Sequence, residues 1–216
     1  MSKKTVVVMG AGKGNGNHIA REFASHDFRI VLMSRKQETL DSYVQEFQAQ
    51  NIECYGIAAD AADTASLTAA IEEVQAQFGV VDVLVYNAAI LTPGTPTALS
   101  SEELMKHYQV DVASALHCAN LVLPAQKQAG DGAILFTGGG FSLYPQAEYT
   151  CVSIDKAALR ALAFAMNQEL KEQGVYVGVV TIMGNVAVGT HYDPALIAKE
   201  YWNLYTDRSE VEYVFK

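Results

Sequence analysis

The chain is short of cysteine, of basic charge and of long apolar runs, and each shortage removes a class of protein. Its three cysteines, Cys54, Cys118 and Cys151, are odd in number and far apart. They read as buried thiols of a reducing compartment and not as a disulfide frame. Fifteen Lys and Arg against 24 Asp and Glu leave a net charge of −9, which argues against nucleic acid or another polyanion as partner. No apolar stretch approaches the roughly 18 residues of a membrane span. Lys3 and Lys4 precede an apolar run, but Gly10 interrupts it and no cleavage-like segment follows, so no signal peptide is expected. The five histidines, at 18, 26, 107, 117 and 191, show no metal-ligand spacing with one another or with the cysteines. A cytoplasmic protein without a metal and without a membrane partner is the expectation.

What the chain does have is alternation. Half of its 216 residues are apolar, enough to bury one core unaided. Short β-branched runs at 5–10, 28–34, 52–59, 80–89, 132–139 and 175–184 read as strands buried on both faces, and EVEYVF near the end is a possible seventh. Helical patterns separate them. Asp63 can cap one that runs to Gly79, and Ser100 with Glu103 forms a capping box before the next. A third runs from Ser153 to a stop at Gly174. No linker or internal repeat divides the chain. The expected fold is α/β, a doubly wound parallel sheet of six to seven strands in a single Rossmann-like domain, residues 1–216. Ligands of such sheets bind beyond the carboxyl ends of the strands.

GAGKGNGNHIA stands at the first of those ends, with Gly10, Gly12, Gly14 and Gly16 in seven residues and Lys13 and Asn15 between them. Glycine allows a sharp turn and a close approach of pyrophosphate to the free N–H groups of a helix start. A nucleoside-triphosphate loop is excluded because Gly14, not Ser or Thr, follows Lys13. The second strand ends in Met33, Ser34, Arg35 and Lys36, with no acid before Glu38 to hold a ribose 2′-hydroxyl. Arg35 and Lys13 suit a 2′-phosphate instead, so NADP(H) is expected over NAD(H).

With these pieces in view the chain resembles the short-chain dehydrogenase/reductase family along nearly its whole length. The resemblance rests on GAGKGNG, on Ser34-Arg35, on Asp60 after the third strand, on Asn87-Ala88-Ala89 and on the KAAL that begins at Lys156. It implies a single dinucleotide-binding oxidoreductase domain acting on a small molecule and assembled as a homodimer or homotetramer through its two long helices. It also implies that Asp60 contacts the adenine, that Asn87 and Ala88 line the cofactor cleft, and that Lys156 binds the nicotinamide ribose. Gly184 takes the place of the glycine in the family's Pro-Gly, with Met183 for the proline.

The family's chemistry uses Asn, Ser, Tyr and Lys. By the resemblance these fall at Asp111, Gly139, Val152 and Lys156, so only the lysine is kept. A placed proton donor is worth roughly 10²–10⁴ in rate, and valine has no proton to give. Tyr149, one helical turn earlier, could stand in if the helix reaches it, or could be an aromatic packed in the loop. Asp111 could pair with Lys156 or hold a water, or could be a solvated or capping carboxylate. Ser142 and Tyr144, beyond the glycine run, line the cleft mouth or are loop residues; His191 falls in a candidate substrate loop after the sixth strand; and Trp202 could cover the substrate pocket or belong to an aromatic helix packed on the sheet. Two readings follow: an NADP(H)-dependent oxidoreductase with a non-standard proton donor at Lys156, Tyr149 or Asp111, or a catalytically silent NADP-binding or regulatory protein.

Overall fold

The computed structural model describes residues 3–216; Met1 and Ser2, the first two residues of the expected 1–216 domain, lie outside the described residues. Its strands are β1 (Thr5–Met9), β2 (Arg29–Ser34), β3 (Cys54–Ala58), β4 (Val83–Tyr86), β5 (Gly132–Gly139), β6 (Val175–Ile182) and β7 (Glu212–Phe215). All pair in parallel in the order β3-β2-β1-β4-β5-β6-β7. The possible seventh strand is therefore real and forms an edge. Arg160 pins it, donating from its guanidinium to both carboxylate oxygens of Glu212.

Alternate residues of each strand face opposite sides, and both sides are covered. Val7, Met9, Leu84 and Phe136 pack against α3 (Thr64–Phe78), α5 (Ser114–Ala129) and α6 (Thr150–Leu170). Val6, Val8, Leu32 and Leu135 pack against α1 (Asn15–Ser25), α2 (Gln37–Gln48) and α7 (Pro194–Asp207). Trp202 belongs to this second layer: it sits edge-on to Phe23 and stacks on His26 at 3.6 Å. It is helix packing and not a cover for a pocket. Among the described residues no helix is long and apolar enough to cross a membrane.

The expected caps are present. Asp63 accepts from the Ala65 N–H at 2.9 Å, and Ser100 and Glu103 close a capping box at the start of α4 (Ser101–Tyr108). Most strands are shorter than expected, the fourth spanning Val83–Tyr86 and not 80–89, and two helices also differ from the sequence reading. The long helix begins at Thr150 and not Ser153, which makes Tyr149 its N-cap residue. The helix from Ser101 is interrupted by a π-helical turn, Gln109–Ala113, before α5 continues through Pro124 to Ala129. The buried Tyr86 hydroxyl donates to the Val110 carbonyl inside that turn, satisfying a group that the widened turn frees. The turn carries Asp111.

Candidate active site

The sheet order reverses between β1 and β4, where the glycine loop and Asn87-Ala88 come together. The four glycines of the loop fall into two pairs. Gly10 has φ +93°, and a Cβ there would lie 2.4 Å from the Ala88 backbone nitrogen; one on Gly16 would lie 2.5 Å from the Gly10 carbonyl oxygen. Those two are required by close backbone contact. Gly12 and Gly14 have nothing within 4 Å on that side and face open space. Asn17 braces the loop, accepting from the Gly12 N–H while its own N–H donates to the Gly12 carbonyl, both at 3.0 Å. The start of α1 carries no side-chain cap and no acid in its first turn, so, with the Asn17 N–H taken by Gly12, the Asn15 and Gly16 N–H groups remain, among the described residues, for an anion. The Asn15 side-chain oxygen is buried there without a partner.

A cleft of about 460 Å³ opens beside this loop, lined in part by Gly10, Ser34, Arg35, Asp60, Asn87 and Ala88. Six of the sequence-predicted cofactor positions thus meet in one space. Asp60 accepts from the Ala62 N–H at 2.9 Å and so shapes its own turn in the wall. Arg35 and Lys13 are exposed, and among the described residues neither takes part in an ion pair or side-chain hydrogen bond. Gly184 stands apart: the Tyr192 ring covers it, 2.1 Å from where a Cβ would be. Packing alone accounts for that glycine.

A buried string of hydrogen bonds runs from the loop to Lys156. The Asn87 amide donates to the Gly10 carbonyl at 2.9 Å. Thr137 Oγ1 donates to Asn87 Oδ1 at 2.9 Å and lies 2.7 Å from the Tyr201 hydroxyl. Because the threonine proton is used on Asn87, the tyrosine must be the donor in the second bond. The Thr137 carbonyl in turn accepts from Lys156 Nζ at 2.8 Å. Thr137 and Tyr201 lie inside a strand run and an aromatic helix, where nothing in the sequence set them apart from core residues.

Lys156 is 5% exposed and Asp111 fully buried. Asp111 Oδ1 accepts from the Ile90 N–H at 2.8 Å, while its other oxygen has no partner. The reading of Asp111 as a solvated carboxylate is corrected by its burial. Burial also pushes its carboxyl up, and the nearby Lys156 charge opposes that. Val152, one turn before Lys156, is buried and apolar. A Cβ on Gly139 would touch the Lys156 stem, with its nearest atom at 3.5 Å. Tyr149 is exposed, stacks on Phe141 with ring centroids 5.5 Å apart, and pairs through its backbone with Gly94. Ser142 keeps a buried hydroxyl without a partner, Tyr144 is exposed, and His191 bonds the Lys216 carbonyl.

Sequence reasoning passed over Asp155, which is fully buried with both carboxyl oxygens unpartnered. The signal was available: an acid four residues before the core residue Leu159 points into an apolar helix face. A second cavity of about 450 Å³ adjoins the cleft through Ile90, with Thr92, Glu103, His107 and Cys151 in its wall.

Fold and cleft together define a dinucleotide-binding α/β domain. The family model for short chain dehydrogenase matches residues 4–192, and the chain belongs to that family. The ketoacyl reductase HetN of Nostoc sp. is 29% identical over 216 residues, covering all of this chain and 75% of the relative. The 3alpha-hydroxysteroid dehydrogenase of Mediterraneibacter gnavus is 27% identical over 83% of this chain and 73% of its own length. A metagenomic short-chain oxidoreductase solved in complex with NADP superposes with a TM-score of 0.89 at 28% identity, covering 99% of this chain and 96% of the other.

Proposed function

We propose that residues 1–216 form one NADP(H)-binding oxidoreductase domain, cytoplasmic, that transfers hydride to or from a small molecule with a proton donor other than residue 152. One observation carries the cofactor half of this reading: free helix N–H groups, the open sides of Gly12 and Gly14 and the orphaned Asn15 oxygen surround a cleft whose far wall holds the unpaired Arg35. Those features fit a dinucleotide. The start of α1 would hold its pyrophosphate, Arg35 with Lys13 the 2′-phosphate, Ser34 and Asp60 the adenosine half, Asn87 and Ala88 the cleft floor, and Lys156 the nicotinamide ribose. The bound cofactor supplies hydride; the chain supplies position and protons.

Tyr149 is the proton donor that we place at the substrate, because it is exposed beside Gly94 in the wall of the second cavity and no hydrogen bond among the described residues occupies its hydroxyl. Asp111 supports Lys156 electrostatically. The buried apolar Val152 favours a second reading, a silent NADP-binding or regulatory protein. Titration and turnover on one set of variants separate the two. NADPH should bind at least about tenfold more tightly than NADH, a difference of about 1.4 kcal/mol, and Arg35→Asp should reverse the order. Carbonyl reduction by the native protein that is lost in Tyr149→Phe supports the enzyme reading. Equal affinities refute the Arg35 assignment, and absent turnover on carbonyl substrates supports the silent one.

The assembly is a homodimer or homotetramer through α4, α5 and α6, whose outer faces leave Met105, Leu116, Ile154 and Phe164 at 39–62% exposure. A single-chain mass in light scattering at micromolar concentration would overturn this.

A further inference from the structure

Three ionisable side chains are buried where α6 packs on the π-helical turn. Asp155 directly precedes Lys156 on α6, and Asp111 faces them from the turn; all three side chains are buried. Among the described residues Lys156 Nζ has a single hydrogen-bond partner, the Thr137 carbonyl. That leaves two of its protons for other acceptors. Asp111 already accepts the Ile90 N–H, whereas Asp155 has no donor for either oxygen. One ammonium can balance one carboxylate, and Asp111, with its N–H, is the better stabilised anion. Asp155 is then the group that keeps its proton, because an ionised buried carboxylate without donors is costly.

We propose that Asp155 is a pH-sensitive positioning residue: protonated, it leaves Lys156 free to hold the cofactor, and ionised, it draws the ammonium to itself. This rests on the reading of Lys156 as a cofactor ligand. The competition follows because, among the described residues, no donor bonds either Asp155 oxygen. Burial, and then the negative charge of Asp111, raise the Asp155 carboxyl to about 7, with Lys156 opposing. The other titratable groups nearby are fewer. Cys151, one turn earlier, is pushed up and stays neutral; Glu103 and His107 of α4 act on Cys151 and Asp111 respectively. Because the protonated form favours the cofactor, affinity should be full below about 7 and fall as pH rises through it.

The test is fluorescence titration of the full-length protein with NADPH across that pH window, beside Asp155→Asn and Asp155→Ser. The native protein should lose affinity by at least about fivefold, the low end of ordinary coupling between sites, while both variants stay flat. Parallel slopes in native and variant proteins overturn the proposal. Infrared spectroscopy of the cofactor-free protein gives an independent reading. A buried carboxylic-acid band should vanish as pH rises past neutrality and be missing in Asp155→Asn; its absence in the native protein at low pH also overturns the proposal. Should NADPH fail to bind at any pH while the band titrates, the cofactor reading fails and the proposed competition falls with it, but the buried acid stands.

Discussion

Gly10→Ala is expected to destabilise the fold by roughly 2–6 kcal/mol, the sum of forcing a side chain into a positive-φ conformation and of overpacking. The Cβ would meet the Ala88 nitrogen at 2.4 Å, the Ala88 Cα at 2.7 Å and the Asn87 carbonyl carbon at 2.8 Å. All three are backbone atoms that hold the end of β4 against the loop, so no rotamer change relieves the contact. Gly12→Ala and Gly14→Ala meet nothing within 4 Å, and their stability should stay within about 1 kcal/mol of native, the usual range for a helix-end glycine. Their loss should be in cofactor affinity, because the new methyl groups enter the space left open for it. Urea denaturation separates the two classes. An unchanged midpoint for Gly10→Ala would show that the strand ends can part, and would remove the steric account of the loop.

That division of the glycines was only half legible in the sequence. Four glycines after a β-branched run mark a dinucleotide loop, but which of them touch protein and which face a ligand depends on how far β4 approaches β1. The alternation of strands and helices was readable for a simple reason. A parallel strand buried on both faces is apolar at every position, and TVVVM and VLVY admit little else. The ends were less readable. Residues 87–89 read as the end of the fourth strand but leave the ladder beside the cleft, and the polar Asn87 is the one mark of that departure in the sequence. The π-helical turn was also invisible, since it depends on the Tyr86 hydroxyl reaching the Val110 carbonyl from another element. Asp155 was missed because it follows no motif; only its place on a buried helix face distinguishes it from a surface acid.

Lys156→Met should lower stability by an amount that grows with pH, and should weaken NADPH binding by about 1–3 kcal/mol through lost charged hydrogen bonds. The Lys156 charge lowers the carboxyls of both Asp111 and Asp155 against the upward push of burial. Without it both should rise further above their ordinary value of 3.8. A carboxyl raised in the folded state binds a proton that the unfolded chain has released, so stability falls as pH rises from the unfolded value to the folded one. At pH 5 protonation relieves more of the buried negative charge than at pH 8 and methionine fills the lysine's volume, so the deficit should be smaller there. At pH 8 the variant must either hold buried protons against the solvent or bury uncompensated charge, and breaking a buried pair in this way costs about 3–5 kcal/mol. Thermal melts at the two pH values measure the difference. A deficit of equal size at both would mean that the lysine contributes packing alone and that the acids do not depend on it. A folded variant that binds NADPH as the native protein does would withdraw Lys156 from the cofactor site and leave it a structural lysine beneath the Thr137 carbonyl.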